Sequence, residues 1–294
     1  MQQIIVILGP TSVGKTKLSV ELAKKLNAEI INADSVAIYK RLNIGSAKPT
    51  IEEQEGIKHH LINIKDVEEE YNVFEYQKDC RKKIDEIIQD KKNVIIVGGT
   101  GLYIKAALYD YQFIQEQSPQ QTYDDLTNQE ILDKIKLIDK TISIHLNNRQ
   151  RLVRKLNQLN ETTEISQNKN KLLYNIEVVG LTTDREDLYE RINNRVDKMI
   201  ENKLLDEITS LKEYYDTSKI LNSAIGYKEF NDYLFNNQSL EDTLIKVKQN
   251  SRKYAKRQYT FFNNQFNNIN WYETDYKNFQ NTINSVYNDI IKDA

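Results

Sequence analysis

The chain has 294 residues, of which 39% are hydrophobic and 29% are charged, and its formal net charge is −2. These proportions are ordinary for a globular protein with a buried core. The single cysteine, Cys80, cannot form an internal disulfide, and no apolar stretch approaches the roughly 18 residues that a membrane span requires. A disulfide-rich secreted scaffold and a membrane protein are therefore disfavoured, and we expect a cytoplasmic protein.

Apolar runs and amphipathic segments alternate through the first third of the chain, where seven of the nine glycines also lie. The predicted elements are, in chain order, a strand at Ile4–Leu8, a helix at Lys15–Leu26, a strand at Glu29–Asn32, a helix at Asn72–Gln89 and a strand at Asn93–Val97. Strands that alternate with helices indicate a parallel α/β sheet, which binds its ligands outside the carboxyl ends of the strands.

The remainder of the chain contains only two glycines and is predicted to be mainly helical. Helices are predicted, in order, at Gln129–Lys140, Arg149–Leu159, Asp184–Leu204, Leu240–Phe262 and Phe279–Ile291, with one further strand at Ile176–Leu181. We therefore predict an α/β core formed by residues 1–111 and 175–294, with C-terminal helices. A helical insertion domain at residues 112–174 would interrupt this core.

Positive charge is concentrated in two segments that are predicted to be helical. Residues 134–160 contain seven lysines and arginines against one acid, and residues 243–272 contain six against none. Basic segments on an otherwise acidic chain can follow the phosphates of a nucleic acid. Solvated helix faces produce the same pattern, so charge alone leaves both interpretations open.

The strongest motif, Gly9-Pro-Thr-Ser-Val-Gly-Lys-Thr16, is a complete G-x-x-x-x-G-K-T sequence between a predicted strand and a predicted helix. In such a loop the backbone N–H groups surround phosphate oxygens, the lysine adds a positive charge, and the threonine hydroxyl can bind Mg²⁺. The motif predicts a P-loop NTPase-like core that binds a diphosphate or a nucleotide such as ATP. The candidate binding residues are Gly9, Pro10, Thr11, Ser12, Val13, Gly14, Lys15 and Thr16, with Thr16 as the metal ligand.

Two more strand ends are predicted to face the same crevice. Asp34 and Ser35 follow the second predicted strand, and Gly98-Gly-Thr-Gly101 follows the strand at Asn93–Val97. Asp34 could bind Mg²⁺ or accept a proton, and Thr100 could contact a ligand. Asp34 could also be a turn or capping residue, and the glycine loop of Thr100 could be a tight structural turn. No aspartate closes a later apolar strand, as the Mg²⁺-binding acid of a nucleotide hydrolase would. The sequence therefore favours a transferase.

The order of these motifs resembles that of the tRNA dimethylallyltransferase (tRNA isopentenyltransferase) family over nearly the whole chain. After the phosphate loop and Asp34-Ser35, the matching segments are Asn43–Thr50, Gly56–Ile62, Gly98–Tyr103, Asp184–Met199, Ala224–Glu229 and Lys256–Thr260. Members of this family transfer a dimethylallyl group from dimethylallyl diphosphate to the exocyclic amine of the adenine on the 3′ side of the anticodon. The resemblance implies the same prenyltransferase reaction here, with release of diphosphate.

The resemblance also implies roles for individual residues. Asp34 would accept the proton of the adenine amine, Thr100 would hold the flipped base, and Arg195 would neutralise charge on the departing diphosphate. The residues that it implies in tRNA binding are Asp34, Ser35, Val36, Ala37, Thr100, Gln150, Arg151, Arg154, Gly226, Tyr227 and Lys228. The implied cofactor is Mg²⁺, and the implied partners are the anticodon arm of tRNA and dimethylallyl diphosphate. We expect a monomer that does not associate with a membrane.

Three other functions remain open from the sequence. A P-loop kinase of small metabolites would share the sheet, the loop and Mg²⁺ but should carry an arginine-rich lid. The only arginines of the predicted insertion are Arg149, Arg151 and Arg154. An isopentenyltransferase acting on free adenine nucleotides would not need the two basic segments. A non-catalytic RNA-binding protein would not need an intact phosphate loop together with Asp34.

Overall fold

The computed structural model of the protein describes residues 2–113, 121–160 and 171–292. The chain divides into two compact units, a larger one formed by residues 1–111 and 170–294 and a smaller one formed by residues 112–169. The Lys171 N–H donates to the Asp110 side chain and the Leu173 N–H donates to the Leu108 carbonyl, each at 2.9 Å. These bonds attach residues 171 and 173 to the larger unit. The second segment of that unit therefore begins a few residues before residue 175, the boundary that the sequence predicts.

A six-stranded sheet forms the centre of the larger unit. Its strands are β1 (Ile4–Leu8), β2 (Ala28–Asn32), β3 (His59–His60), β4 (Asn93–Val97), β5 (Ile176–Thr182) and β6 (Asn270–Glu273). Their spatial order is β3-β2-β4-β1-β5-β6, and every neighbouring pair is parallel. The predicted parallel α/β fold is confirmed, and the carboxyl ends of β1, β2, β4 and β5 lie along one edge of the sheet.

The long helices lie close to where the sequence predicts them. The bounds of the helices are α1 (Lys15–Leu26), α2 (Ile51–Gln54), α3 (Val73–Gln89), α4 (Gly101–Leu108), α5 (Asn128–Ile138), α6 (Arg149–Asn160), α7 (Arg185–Glu201), α8 (Leu204–Ser210), α9 (Asn231–Phe235), α10 (Leu240–Gln265) and α11 (Phe279–Lys292). The predicted helix at Asp184–Leu204 ends at Glu201, and the short helices α2, α8 and α9 are not predicted. The sequence does not predict β3 or β6, because neither segment contains an apolar run. None of the helices in the described ranges is long and apolar enough to cross a membrane.

Strand β1 is buried on both faces, which explains its continuously apolar sequence. Ile4, Val6 and Leu8 belong to the core cluster that includes residues of α3 and α4. Ile5 and Ile7 belong to a second cluster, which includes residues of α1 and α11. Because helices cover both faces of the sheet, a ligand site is left at the carboxyl edge, where the strand-end loops meet.

The smaller unit has its own core, formed by α5 and α6. The buried residues are Ile131, Leu132, Ile135, Leu152 and Leu156. The Arg149 guanidinium donates to the carbonyls of Tyr123 and Leu126 at 2.6 and 2.9 Å. Arg149 therefore stabilises the unit internally.

Candidate active site

The phosphate loop connects β1 to α1 in a conformation that requires glycine at both ends of the motif. Gly9 and Gly14 have φ angles of +144° and +97°. A Cβ atom at Gly9 would lie 2.6 Å from the Leu181 carbonyl oxygen, and one at Gly14 would lie 2.6 Å from the Phe279 ring. The loop therefore passes against β5 and α11 and ends at the N-terminus of α1, where the helix dipole favours an anion.

Two partly buried cations face this loop. The Lys15 ammonium donates to the Pro10 carbonyl at 2.6 Å, and the Arg195 guanidinium, from α7, donates to the Thr11 hydroxyl at 2.8 Å. Burial, with a smaller contribution from the Arg195 cation, lowers the pKa of Lys15 to about 7 against the opposing effect of Asp34. Burial also lowers the pKa of Arg195. Two desolvated cations held close together provide strong attraction for an anionic ligand.

Asp34 follows β2 and lies close to both cations, since its charge raises the pKa of each. Its Oδ1 accepts the N–H groups of Val36 and Ala37 at 2.9 and 3.3 Å. The Asn32 side chain accepts the Asp34 N–H at 3.2 Å and donates to the Asp34 carbonyl at 3.1 Å. These local bonds fix the turn, and Oδ2 of Asp34 makes no hydrogen bond within the described ranges.

Thr100 comes from the loop after β4 and contacts the turn that contains Asp34. Its hydroxyl accepts the Ser35 N–H at 3.1 Å and donates to the Ser35 hydroxyl at 3.3 Å. The Thr100 N–H donates to the Ala33 carbonyl at 3.0 Å. A Cβ atom at Gly98 would lie 2.1 Å from that carbonyl oxygen, so glycine is needed for this close approach. The loops after β2 and β4 are therefore joined directly.

Helix α10 contributes Gln258 and Tyr254, which the sequence does not single out as site residues. The Gln258 side chain accepts the Thr11 N–H and donates to the Gly99 carbonyl, both at 2.9 Å. The Tyr254 hydroxyl donates to the same carbonyl at 3.4 Å. Burial and, to a lesser extent, the charge of Asp34 raise the pKa of Tyr254 to about 12, so its hydroxyl remains a donor. The four-residue spacing on a predicted helix is a signal that these side chains share one face.

Residues 43–47 form another loop beside Arg195, and Glu207 of α8 holds it. The Glu207 carboxylate accepts three consecutive backbone N–H groups of this loop at 2.8–3.1 Å. The Tyr227 hydroxyl donates to the same carboxylate at 2.7 Å. The Ala47 carbonyl accepts a bond from the Arg195 guanidinium at 3.5 Å. Glu207 therefore supports the loop that orients Arg195.

Three residues predicted to bind tRNA lie in the interior of the larger unit. Ala37 and Tyr227 are 4% and 0% exposed, and Gly226 packs so tightly that a Cβ atom would lie 2.9 Å from the Gly45 carbonyl oxygen. These residues offer almost no surface to RNA in this conformation. These three residues therefore shape the loops around the site.

The other residues predicted to bind tRNA are accessible. Gln150, Arg151 and Arg154 are exposed on α6, in the smaller unit. In the larger unit Lys228 is partly exposed, and Ser35 and Val36 are partly exposed in the turn after Asp34. The phosphate loop, Asp34, Ser35, Thr100 and Arg195 come together at the carboxyl edge of the sheet.

The unpaired hydroxyl oxygens of the phosphate loop fit a Mg²⁺ ion that arrives with a phosphate ligand. The Thr16 hydroxyl, in the first turn of α1, makes no hydrogen bond among the described residues. The buried Ser12 hydroxyl also has no partner there. Mg²⁺ usually takes one or two protein oxygens and completes its shell with phosphates and water. The described ranges contain no group of three or more His, Cys, Asp or Glu residues that could hold a metal ion.

A phosphate loop, two desolvated cations and a carboxylate at one edge of a parallel sheet define a P-loop protein equipped for group transfer. The family model for IPP transferase matches residues 37–265 of the chain. The chain belongs to the IPP transferase family, a family of prenyl-transferring enzymes.

Individual relatives agree with this assignment. A tRNA dimethylallyltransferase of Bacillus mycoides is 44% identical over 92% of this chain and 90% of that protein. A tRNA dimethylallyltransferase of Anoxybacillus flavithermus is 43% identical over 97% of this chain and 95% of that protein.

Solved structures extend the similarity to the fold. The full-length tRNA isopentenylpyrophosphate transferase of Bacillus halodurans is 38% identical with a TM-score of 0.78, covering 99% of this chain and 96% of that one. A eukaryotic dimethylallyltransferase acting on tRNA is 29% identical with a TM-score of 0.83, covering 100% of this chain and 80% of that one. These matches confirm the family resemblance that the motifs indicate.

Proposed function

We propose that the protein is a tRNA dimethylallyltransferase. It transfers the dimethylallyl group of dimethylallyl diphosphate to the exocyclic amine of the adenine on the 3′ side of the anticodon, and it releases diphosphate. The names of the relatives support the prenyl donor and the tRNA acceptor. The position of the adenine follows from the resemblance between the motifs of this chain and those of the family.

The juxtaposition of Asp34 with Lys15 and Arg195 carries the proposal. The two cations suit a leaving group that gains negative charge, and a carboxylate within their electrostatic reach suits a proton acceptor for the attacking amine. A kinase site would instead hold its acceptor hydroxyl against the terminal phosphate of ATP. The arrangement therefore supports loss of an intact diphosphate.

In the proposed reaction a C–N bond forms between the adenine amine and the allylic carbon, while the C–O bond to the diphosphate breaks. The bonding electrons leave with the diphosphate, where Lys15, Arg195 and the loop amides stabilise them. Asp34 accepts the amine proton through its unpaired Oδ2. Thr100, whose hydroxyl is oriented by Ser35, positions the base after it leaves the anticodon stack.

Mg²⁺ is part of the proposal, with Thr16 as its protein ligand. When bound, the ion would supply further positive charge against the diphosphate oxygens. The unpaired hydroxyls of Thr16 and Ser12 support a polar ligand at the loop. Lys15 and Arg195 would also stabilise negative charge on the diphosphate.

The exposed residues of α6 are proposed to bind the anticodon arm. Gln150, Arg151 and Arg154 would contact the RNA backbone, as would the exposed cations of residues 243–272 on α10. We further propose that the enzyme is a monomer, since one chain supplies every group named in the reaction. It would act in the cytoplasm, together with its tRNA substrate.

Transfer of label from dimethylallyl diphosphate tests the proposal. Unmodified tRNA and AMP are offered together as acceptors, with Lys15→Ala as the inactive reference. We expect label on tRNA and none on AMP. Label on AMP alone would exclude tRNA as the acceptor. Phosphate release from ATP at a kinase-like rate of about 1–100 s⁻¹, abolished by Lys15→Ala, would favour a kinase.

A further inference from the structure

One buried side chain joins the two loops that would hold the two substrates. Gln258 accepts the Thr11 N–H of the phosphate loop and donates to the Gly99 carbonyl of the loop after β4, each at 2.9 Å. Within the described ranges no backbone hydrogen bond directly joins residues 9–16 to residues 98–101. The strands that lead into the loops are paired, and the Gly98 N–H donates to the Ile7 carbonyl at 3.3 Å. The Gln258 side chain adds a direct polar link between the loops themselves.

The Gln258 side chain is closely packed and almost completely buried. The residue is 4% exposed, and a Cβ atom at Gly99 would lie 2.2 Å from its Nε2 atom. A glutamine side chain presents an acceptor and a donor at one end, which is the pair that an N–H and a carbonyl require. Losing the bond from Thr11 would leave that N–H without its partner, whereas the Gly99 carbonyl would keep only the longer bond from the Tyr254 hydroxyl, at 3.4 Å.

We propose that Gln258 is a positioning residue for prenyl transfer, a role that rests on the proposed function. It holds the phosphate loop, which binds the leaving diphosphate, at a set distance from the loop of Thr100, which positions the acceptor base. Its amide oxygen and nitrogen are engaged by the backbone of the two loops. Since a misplacement of about 1 Å can cost roughly 10²-fold in rate, the bridge governs the chemical step more than the binding of either substrate.

Two substitutions separate the bonds of the bridge. Gln258→Met keeps the length of the side chain and removes both bonds. Gln258→Glu keeps an acceptor for the Thr11 N–H but places an oxygen against the Gly99 carbonyl. Thr260→Ala is the matched control, because Thr260 is exposed on the same helix and its hydroxyl donates only to the Lys256 carbonyl, at 3.0 Å, among the described residues.

Single-turnover transfer and substrate affinity are measured on the same proteins. For Gln258→Met we expect the rate to fall about 10- to 100-fold, while the Kd values for dimethylallyl diphosphate and for tRNA stay within about threefold. Thr260→Ala should match the wild type. A Gln258→Met rate equal to that of the wild type would overturn the proposal, as would a rate loss matched by an equal loss of affinity.

Hydrogen exchange of the Thr11 amide tests the bridge without substrates. We expect faster exchange in Gln258→Met than in the wild type, and protection largely retained in Gln258→Glu. Unchanged protection in Gln258→Met would contradict the bridge even if transfer slowed. A wild-type protein that transferred no label would count against the proposed function, and exchange at Thr11 would still decide whether Gln258 holds the two loops.

Discussion

The carboxyl edge of the sheet and the exposed face of α6 both carry positive charge, but they differ in how far that charge is exposed to water. Lys15 and Arg195 are desolvated, close to each other and bonded to the phosphate loop, whereas Arg151 and Arg154 are exposed. A charge that is shielded from water interacts strongly with a ligand held at the right distance. An exposed charge interacts more weakly, and salt screens it further. Substitutions at the edge should therefore change rates, and those on α6 should change affinity.

The largest effect is expected for Asp34→Asn. The amide preserves the shape of the side chain and an acceptor for the turn but cannot take the amine proton, so turnover should fall by about 10²- to 10⁴-fold. Dimethylallyl diphosphate and tRNA should bind almost as in the wild type. Single-turnover rates and equilibrium binding, measured in parallel, check this split. Near-wild-type chemistry in the variant would show that Asp34 is not the base.

Arg195→Ala should reduce the rate by about 10²- to 10³-fold, because the leaving group no longer has this charged donor. Diphosphate affinity should also weaken, while tRNA affinity should remain nearly constant. Arg191→Ala is a suitable comparison, since Arg191 lies one turn earlier on α7, is exposed and donates to the Ser12 carbonyl at 3.2 Å. Equal losses in the two variants would place Arg195 outside the chemistry.

The lowered pKa of Lys15 predicts a pH-dependent affinity for inorganic diphosphate. The cationic form binds the anion, and the free lysine loses its proton above pH about 7. From there upward each pH unit should weaken binding nearly tenfold, because protonation must accompany binding. Titration calorimetry measures the affinity of the wild type and of Lys15→Met at each pH. Because the ionisation of diphosphate affects both proteins equally, the difference between them reports the ionisation of Lys15. The same pH profile in both proteins would contradict the assignment.

The smallest effect is expected on α6. Removing Arg151 and Arg154 together should weaken binding to all substrate tRNAs alike, since interactions with the RNA backbone carry little sequence information. The slope of log affinity against log salt should fall by roughly 0.7–0.9 for each RNA phosphate that is no longer neutralised. Lys82→Gln, which removes an exposed charge of α3, is the matched control. An unchanged slope would leave these arginines as solvated residues of a helix face.

The sequence predicts four of the six strands and the long helices because their signals are local. Continuous apolar runs identify β1 and β4, and the glycines of the phosphate loop identify its turn. The same signals do not distinguish a residue that touches a ligand from one that packs behind the site. Gly226 and Tyr227 belong to a family motif, yet both are buried.

Long-range contacts account for what the sequence does not reveal. Gln258 is 247 residues from Thr11 and 159 residues from Gly99 along the chain. No periodicity can indicate such a bridge, although the helical spacing of Tyr254 and Gln258 shows that they share a face. Glu207 likewise holds a loop more than 160 residues away.

Counting diphosphate and labelled tRNA in a single turnover tests the central claim most directly. The enzyme is mixed with labelled dimethylallyl diphosphate, with and without unmodified tRNA, and both products are followed over the same time course. A tRNA prenyltransferase should release one diphosphate for each label incorporated into tRNA and almost none without tRNA. Release of orthophosphate, or release of diphosphate at the same rate without tRNA, would contradict transfer to tRNA.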